Sequence, residues 1–314
     1  MKAVILDAAT LGEDIDLTPI REQVDSLDVH AITLPEQRLE RLAGARIALV
    51  NKVVLDAELL DQLPALELIC VLATGTNNID MAAAERHGIE VRNVAAYGTA
   101  SVAQHTLMLM LALANRLPLY QQDVAAGRWD ENPFFCLMDH RTLQLADKRL
   151  VIVGQGELGS RVAQLAEAFG MQVTFAARPG NEANDKRPGL AELAPTADII
   201  SLHCPLTDAT RGLIDASMLA QMKDDALLVN CARGGIVDEA AALAALRAGT
   251  LGGLGVDSLP VEPPRDGHPL IDASREPLNL IVTPHNAWIT PESRANVVAL
   301  TVDNLRAWRA SRTG

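Results

Sequence analysis

Gly154, Gly156 and Gly159 stand in the spacing G-x-G-x-x-G, inside the run GQGELG. The chemistry open to such a run is to hold a pyrophosphate. The first N–H groups of a helix have no intrahelical partner and carry partial positive charge, so they attract phosphate. The first glycine permits a tight turn, the second lets the backbone approach the phosphates, and the third lets helix pack on strand. Gln155, Glu157 and Leu158 complete this candidate dinucleotide loop. Three later stretches gather polar and charged side chains: Asn230-Cys231-Ala232-Arg233-Gly234-Gly235, then Gly255-Val256-Asp257 leading to Glu262-Pro263, then Thr283-Pro284-His285. Taken singly, these have plain readings: a helix-start arginine, a solvated glutamate before prolines, a satisfied core histidine.

The elements around the glycines decide between a ligand loop and a plain turn. Leu150 to Val153 is a continuous apolar run rich in β-branched residues, the pattern of a strand buried on both faces. Past Ser160, Val162, Leu165, Ala166 and Phe169 fall on one helical face, and Gly170 is a stop. Strand, glycines and helix in that order point to a dinucleotide. The next strand of such a domain ends in Asp or Glu where the ribose 2′-hydroxyl is bound. Here it reads VTFAARPG, with no carboxylate, and Arg178 stands where a cation can pair with a 2′-phosphate. Lys186 and Arg187 follow. NADP(H) is therefore expected in preference to NAD(H).

At 314 residues the chain has length for two domains. Twenty-seven Lys and Arg against forty Asp and Glu give a net charge of −13, without a basic stripe. Nucleic acid and anionic membrane are not expected partners. Cys70, Cys136, Cys204 and Cys231 form no C-x-x-C pair and read as reduced thiols, with no metal site. MKAVILDAA meets Asp7 too early for a signal peptide, and the Leu107–Ala114 apolar run is too short to span a bilayer. A cytoplasmic protein is expected.

Along the chain, Val4–Leu6, Ile47–Val50 and Leu68–Leu72 read as buried strands, with helices at Asp56–Leu63 and Met81–His87. Such alternation argues a parallel α/β sheet. Asn51-Lys52 and Ala73-Thr74-Gly75 follow strands, where open sheets bind ligands. Amides around Gly75, with the charge of Lys52, suit a small carboxylate; plain loop turns suit the same spacing equally. Ser101 reads as the cap of an apolar helix ending at Ala114. Gly127–Asp139 holds Trp129, Phe134 and Phe135 in a chain poor in aromatics, which suits a subunit interface, a flap or core packing. Strands near Val173–Ala176, Asp198–His203, Ala226–Cys231, Leu254–Asp257 and Leu280–Thr283 join the glycine-loop strand to make six. Residues 291–312 read as a last amphipathic helix.

In order and spacing, the glycine loop and the three later stretches resemble the D-isomer-specific 2-hydroxyacid dehydrogenase family over nearly the whole chain. Asn51-Lys52, the run from Ala96 to Gln104, and Pro284-His285-Asn286-Ala287-Trp288 look most like its bacterial glycerate dehydrogenase (hydroxypyruvate reductase) branch. The resemblance implies that Arg233, Glu262 and His285 are catalytic, and residue chemistry agrees. An imidazole can hand a proton to a carbonyl oxygen, a bonded carboxylate favours its charged form, and a guanidinium fork grips a carboxylate. It further implies that Lys52, Thr74 and Gly75 bind substrate. His203, Cys204, Pro205, Thr210, Cys231, Ala232 and Asp257 would lie along the cofactor. The remaining histidines read as structural. Two departures stand out: Arg178 in place of the acid, and Ser258-Leu259 in place of a bulkier residue after Asp257.

The expected fold is α/β, with two doubly wound parallel-sheet domains. A Rossmann nucleotide-binding domain (99–286) is inserted in a discontinuous flavodoxin-like substrate domain (1–98 and 287–314). The expected activity is NAD(P)H-dependent reduction of a small 2-keto acid to the D-2-hydroxy acid, hydroxypyruvate to D-glycerate and glyoxylate to glycolate. The alternatives are a dehydrogenase for another 2-hydroxy acid, or a dinucleotide-sensing binding protein or corepressor on the same scaffold. A homodimer joined through residues 100–145 is implied by the family.

Overall fold

The computed structural model describes residues 1–312. The chain divides into two compact units: residues 1–98 with the segment from Ile289 onward, and Thr99–Trp288. The second crossing thus falls after Trp288, beyond the indole of the PHNAW run.

The first unit is built on β1 (Lys2–Ile5), β2 (Ser26–Val29), β3 (Ile47–Val50), β4 (Leu68–Val71) and β5 (Glu90–Asn93). They lie in the order β2-β1-β3-β4-β5, every neighbour parallel. The central strands β3 and β4 are buried at every residue, as their continuous apolar runs require. Val4, Ala48, Val50, Ile69 and Val71 feed one core cluster. The expected helices are shorter than their periodicity suggested, at Ala57–Leu60 and Met81–Arg86, each capped by an aspartate side chain. The Pro291–Ala310 helix belongs to this unit, burying Val297, Leu305 and Trp308.

The second unit carries β6 (Arg149–Val153), β7 (Gln172–Phe175), β8 (Ile199–Leu202), β9 (Leu227–Asn230), β10 (Gly253–Val256) and β11 (Leu280–Val282). All are parallel, in the order β11-β10-β9-β8-β6-β7. The strand after β7 returns to the other side of β6, so the chain reverses direction across the sheet between β6 and β8. Alternate residues serve opposite faces: Val151 and Val153 enter one core cluster, Leu150 and Ile152 another. The second cluster is covered by the Thr99–Ala114 and Glu157–Ala168 helices.

Three local expectations are corrected. Ser101 does not cap: the helix already begins at Thr99, and the buried Ser101 hydroxyl donates to the Ala287 carbonyl. Phe169 lies past the end of the Glu157–Ala168 helix and is exposed, leaving Val162, Ala163 and Ala166 to face the core. Core packing of the 127–139 segment is excluded, because Trp129 is 52% exposed, Phe134 67% and Phe135 90%.

Candidate active site

The glycine loop leaves β6 at the point where the sheet order reverses, where open α/β sheets bind their ligands. Gly154 has φ 109°, and a Cβ there would meet the His203 carbonyl oxygen at 2.5 Å. Only glycine lets the β6 and β8 ends approach so closely. At Gly159 a Cβ would meet the Gly154 carbonyl oxygen at 2.0 Å, so the helix must start flush against the strand. Gly156 differs: a Cβ would meet no protein atom within 4 Å. Its conformation as helix cap does not demand glycine, and a backbone bare on that side suits close approach of a pyrophosphate. Glu157 is tied sideways, accepting from the Thr99 hydroxyl at 2.9 Å.

The strand ends around this loop differ in character. His203 hydrogen-bonds Ser201 Oγ through Nε2 at 2.8 Å, and its buried Nδ1 has no partner among the described residues. Burial pushes the His203 imidazole down to about 4, so it is neutral at physiological pH. The Thr210 hydroxyl is buried and donates to the Pro205 carbonyl at 2.7 Å, shaping the turn rather than opening toward a ligand. Burial pushes the thiols of Cys204 and Cys231 up, to about 11 and about 12, so neither is a nucleophile. Arg178 is exposed at the end of β7.

Arg233, Glu262 and His285 come from loops after β9, β10 and β11. His285 Nδ1 and Glu262 Oε2 are 2.6 Å apart. Glu262 Oε1 accepts the Leu259 backbone N–H at 2.8 Å, so the carboxylate is held at both oxygens. The Arg233 loop meets this one through Gly234, where a Cβ would come within 2.1 Å of the Leu259 backbone carbon. Asn230, fully buried, shapes the same turn by donating to the Arg233 carbonyl at 2.8 Å and accepting from Ala232 N at 3.1 Å. Arg233 is exposed, with one guanidinium nitrogen anchored on the Ala232 carbonyl at 2.8 Å. Sequence alone does not mark Gly234 or Asn230 as functional, although both lie in the Asn230-Cys231-Ala232-Arg233-Gly234-Gly235 run. Their roles depend on which loop lies opposite.

His285 has φ 53°, in the left-handed region that non-glycine residues seldom occupy. Asp257, 3% exposed, holds it there. Its Oδ1 accepts from Asn286 N at 3.0 Å and from the Thr283 hydroxyl at 2.5 Å, and its Oδ2 accepts from Ala287 N at 3.1 Å. A residue expected along the cofactor therefore spends its carboxylate on the loop that carries the imidazole. His105 stands behind, with Nε2 at 3.0 Å from Thr283 Oγ1, and burial lowers its pKa against the pull of Asp257.

In the first unit, the Asn51-Lys52 and Thr74-Gly75 loops leave the carboxyl ends of β3 and β4. The Thr74 hydroxyl donates to the Val94 carbonyl at 3.1 Å. Among the described residues no group of three or more His, Cys, Asp or Glu is placed to hold a metal, and no helix is long and apolar enough to cross a membrane.

Residues 107–287 match the family described as "D-isomer specific 2-hydroxyacid dehydrogenase, NAD binding domain". Over 312 residues the chain is 41% identical to the glycerate dehydrogenase of Methylorubrum extorquens, covering 99% of this chain and 97% of that one. It is 33% identical over 312 residues to the hydroxypyruvate reductase of Blautia hydrogenotrophica, at 97% and 96% coverage. Among solved structures, an acyclic imino acid reductase (Bsp5) in complex with NADPH and D-Arg aligns with a TM-score of 0.83. It is 25% identical, at 99% and 98% coverage. The chain belongs to the D-isomer-specific 2-hydroxyacid dehydrogenase family. It is an oxidoreductase that takes a nicotinamide dinucleotide and a small hydroxy- or keto-acid substrate.

Proposed function

We propose that the protein reduces hydroxypyruvate to D-glycerate and glyoxylate to glycolate, with NADPH preferred over NADH. The 2.6 Å bond between His285 Nδ1 and Glu262 Oε2 carries this reading. With Nδ1 donating to the carboxylate, Nε2 is the nitrogen that exchanges a proton with substrate. The bound dinucleotide supplies the hydride. His285 gives the carbonyl oxygen its proton from Nε2, and Glu262 stabilises the imidazolium that does so. Arg233 grips the substrate carboxylate and polarises the keto group, with its exposed guanidinium anchored at one nitrogen. Lys52, Thr74 and Gly75, at the carboxyl ends of β3 and β4, contribute charge and amides to substrate binding.

Gly154 to Gly159 hold the pyrophosphate, Arg178 faces the adenosine ribose, and His203 to Pro205, Thr210, Cys231, Ala232 and Asp257 form or shape the walls of the dinucleotide site. The bare backbone at Gly156 and the exposed guanidinium of Arg178 support this placement. So does the NADPH in the related imino acid reductase. The exposed Trp129, Phe134, Phe135 and Met138 support a homodimer through the 100–145 region. The net charge of −13 fits a cytoplasmic enzyme without nucleic-acid or membrane partners.

The test is the absorbance loss of NADPH and NADH with hydroxypyruvate, glyoxylate and pyruvate, in wild type and Arg178→Asp. Hydroxypyruvate with NADPH should give the highest kcat/KM, and Arg178→Asp should reverse the cofactor preference. An unchanged preference sinks the role of Arg178, and no turnover on any keto acid would favour a binding protein instead.

A further inference from the structure

The end of β7 lacks a carboxylate in sequence, yet the fold brings one there from further along. Asp185 Oδ2 accepts the backbone N–H of Arg178 at 2.9 Å. Its Oδ1 accepts the backbone N–H of Arg187 at 3.0 Å and the Nε–H of the same residue at 2.9 Å. The Arg187 NH2 group closes the ring onto Oδ2. On its other side Arg187 donates through NH1 to Gln155 Oε1 at 2.8 Å, the second residue of the glycine loop. Ala177 N donates to the Pro188 carbonyl at 2.8 Å, tying the base of the 178–188 loop.

A carboxylate offers about four lone-pair sites. Two from the backbone and two from one guanidinium fill those of Asp185, and its side chain is only 12% exposed. It has no site left for a ribose hydroxyl, which is what the strand-end acid of an NADH enzyme accepts. What remains is its charge. Hydrogen bonds from Arg187 first, then from the two backbone N–H groups, hold its carboxyl far below the usual carboxylate range, so it is ionised at any physiological pH.

We propose that Asp185 is a specificity-determining residue: a fixed counter-charge that clamps Arg187 and the Arg178 backbone beside the glycine loop. In that position it sets the margin by which a 2′-phosphate is preferred to a 2′-hydroxyl. This rests on the reading that Arg178 faces the adenosine ribose. Asp185 acts in two opposed ways. As an anchor it preorganises the loop that presents both arginines, which favours either dinucleotide. As a charge it opposes the incoming phosphate, which carries roughly −1.5 to −2, and neutralises Arg187. Asparagine at 185 keeps the shape and an acceptor oxygen while removing the charge; alanine removes both.

The experiment is titration calorimetry of the full chain with 2′,5′-ADP and with 5′-AMP, which reads binding without turnover. It compares wild type, Asp185→Asn, Asp185→Ala and Arg187→Gln at low salt and at about 0.15 M. Asp185→Asn should raise 2′,5′-ADP affinity by about three- to tenfold while 5′-AMP stays within about twofold, and salt should shrink the gain. Asp185→Ala should show no such gain, because the loop is released. Arg187→Gln leaves the carboxylate uncompensated and should weaken 2′,5′-ADP by about tenfold; it keeps the claim testable if Asp185→Asn fails to fold. An affinity ratio in Asp185→Asn at or below that of wild type, or unchanged 2′,5′-ADP binding in Arg187→Gln, overturns the role of Asp185. Wild type binding 5′-AMP as tightly as 2′,5′-ADP overturns the NADPH preference instead, and a raised ratio in Asp185→Asn would still support the counter-charge.

Discussion

Two loops, one in each unit, are held by the same device to different ends. In the first unit Asp7 follows β1, and its carboxylate takes three consecutive backbone N–H groups of the neighbouring β3 loop. These are Asn51 at 2.8 Å, Lys52 at 2.6 Å and Val53 at 3.1 Å. In the second unit Asp257 follows β10 and takes two N–H groups and a hydroxyl from the loop after the neighbouring β11. Both acids are almost fully buried, at 5% and 3% exposure. The first loop contains no left-handed residue, whereas the second carries His285 at φ 53°. Such a backbone costs about 1–3 kcal/mol. Hydrogen bonds to a charged group return about 1.5–3 kcal/mol each. Asp257 therefore has enough in its two backbone bonds to hold the imidazole where it is, with Thr283 and His105 as further support. Asp7 has only to keep a turn in shape.

The sharpest way to separate anchor from chemistry is His285→Asn. Asparagine tolerates left-handed backbone better than most residues, so the melting temperature should hold or rise slightly. Meanwhile kcat should fall by about 10²–10⁴ as the proposed proton donor is lost. Near-normal turnover would remove His285 from the mechanism. Next in size, Asp257→Ala should lower kcat by about 10² through misplacement of an intact imidazole, and stability by about 1–3 kcal/mol as buried donors lose their acceptor. Denaturant unfolding together with kinetics checks both, and a loss of stability alone would make Asp257 purely structural. Asp7→Ala should cost similar stability yet act on KM, raising it about tenfold with kcat within a few-fold, because Lys52, proposed to hold the substrate, shifts while the proposed proton donor does not. Equal losses in kcat for the two aspartate variants would erase the contrast between the loops.

The smallest effect concerns Glu239, a partly buried acid near enough to Glu262 to feel its charge. Burial, then Asp238 and Glu262, push its carboxyl up to about 7 from 4.5, and His268 Nε2 lies 2.8 Å away. Because the folded value is the higher one, its contribution to stability is full below pH 4.5 and is lost as the pH climbs through about 7. The melting temperature of wild type should therefore drop more steeply between pH 5 and 8 than that of Glu239→Gln. Parallel curves would contradict the shift.

What the sequence disclosed and what it withheld divide along the range of the interactions. The inner strands were legible because burial on both faces leaves an unbroken apolar run, as in Leu150 to Val153. The edge strands β2 and β5 leave no such mark: SLDV and EVRN are half solvated and carry no apolar run. The glycine loop and the Arg233, Glu262 and His285 stretches could be read because each is local. Asp7, Asp185 and Gly234 could not. Asp7 earns its meaning from a loop 44 residues on, Asp185 from a turn that folds back on a strand end, and Gly234 from a backbone that only the fold sets against it. Arg178 was visible as a cation, but the carboxylate beside it was not.

The division of the first unit has a consequence for how the protein is made. The Pro291–Ala310 helix packs on the Thr18–Arg21 helix and on β5, and its Asn304 and Arg294 side chains bond the Asn93 and Leu11 carbonyls. A ribosome adding roughly 5–20 residues per second must translate the whole second unit before that helix emerges. Until then, the nascent amino-terminal sheet waits with the apolar flank meant for Val297, Leu305 and Trp308 uncovered.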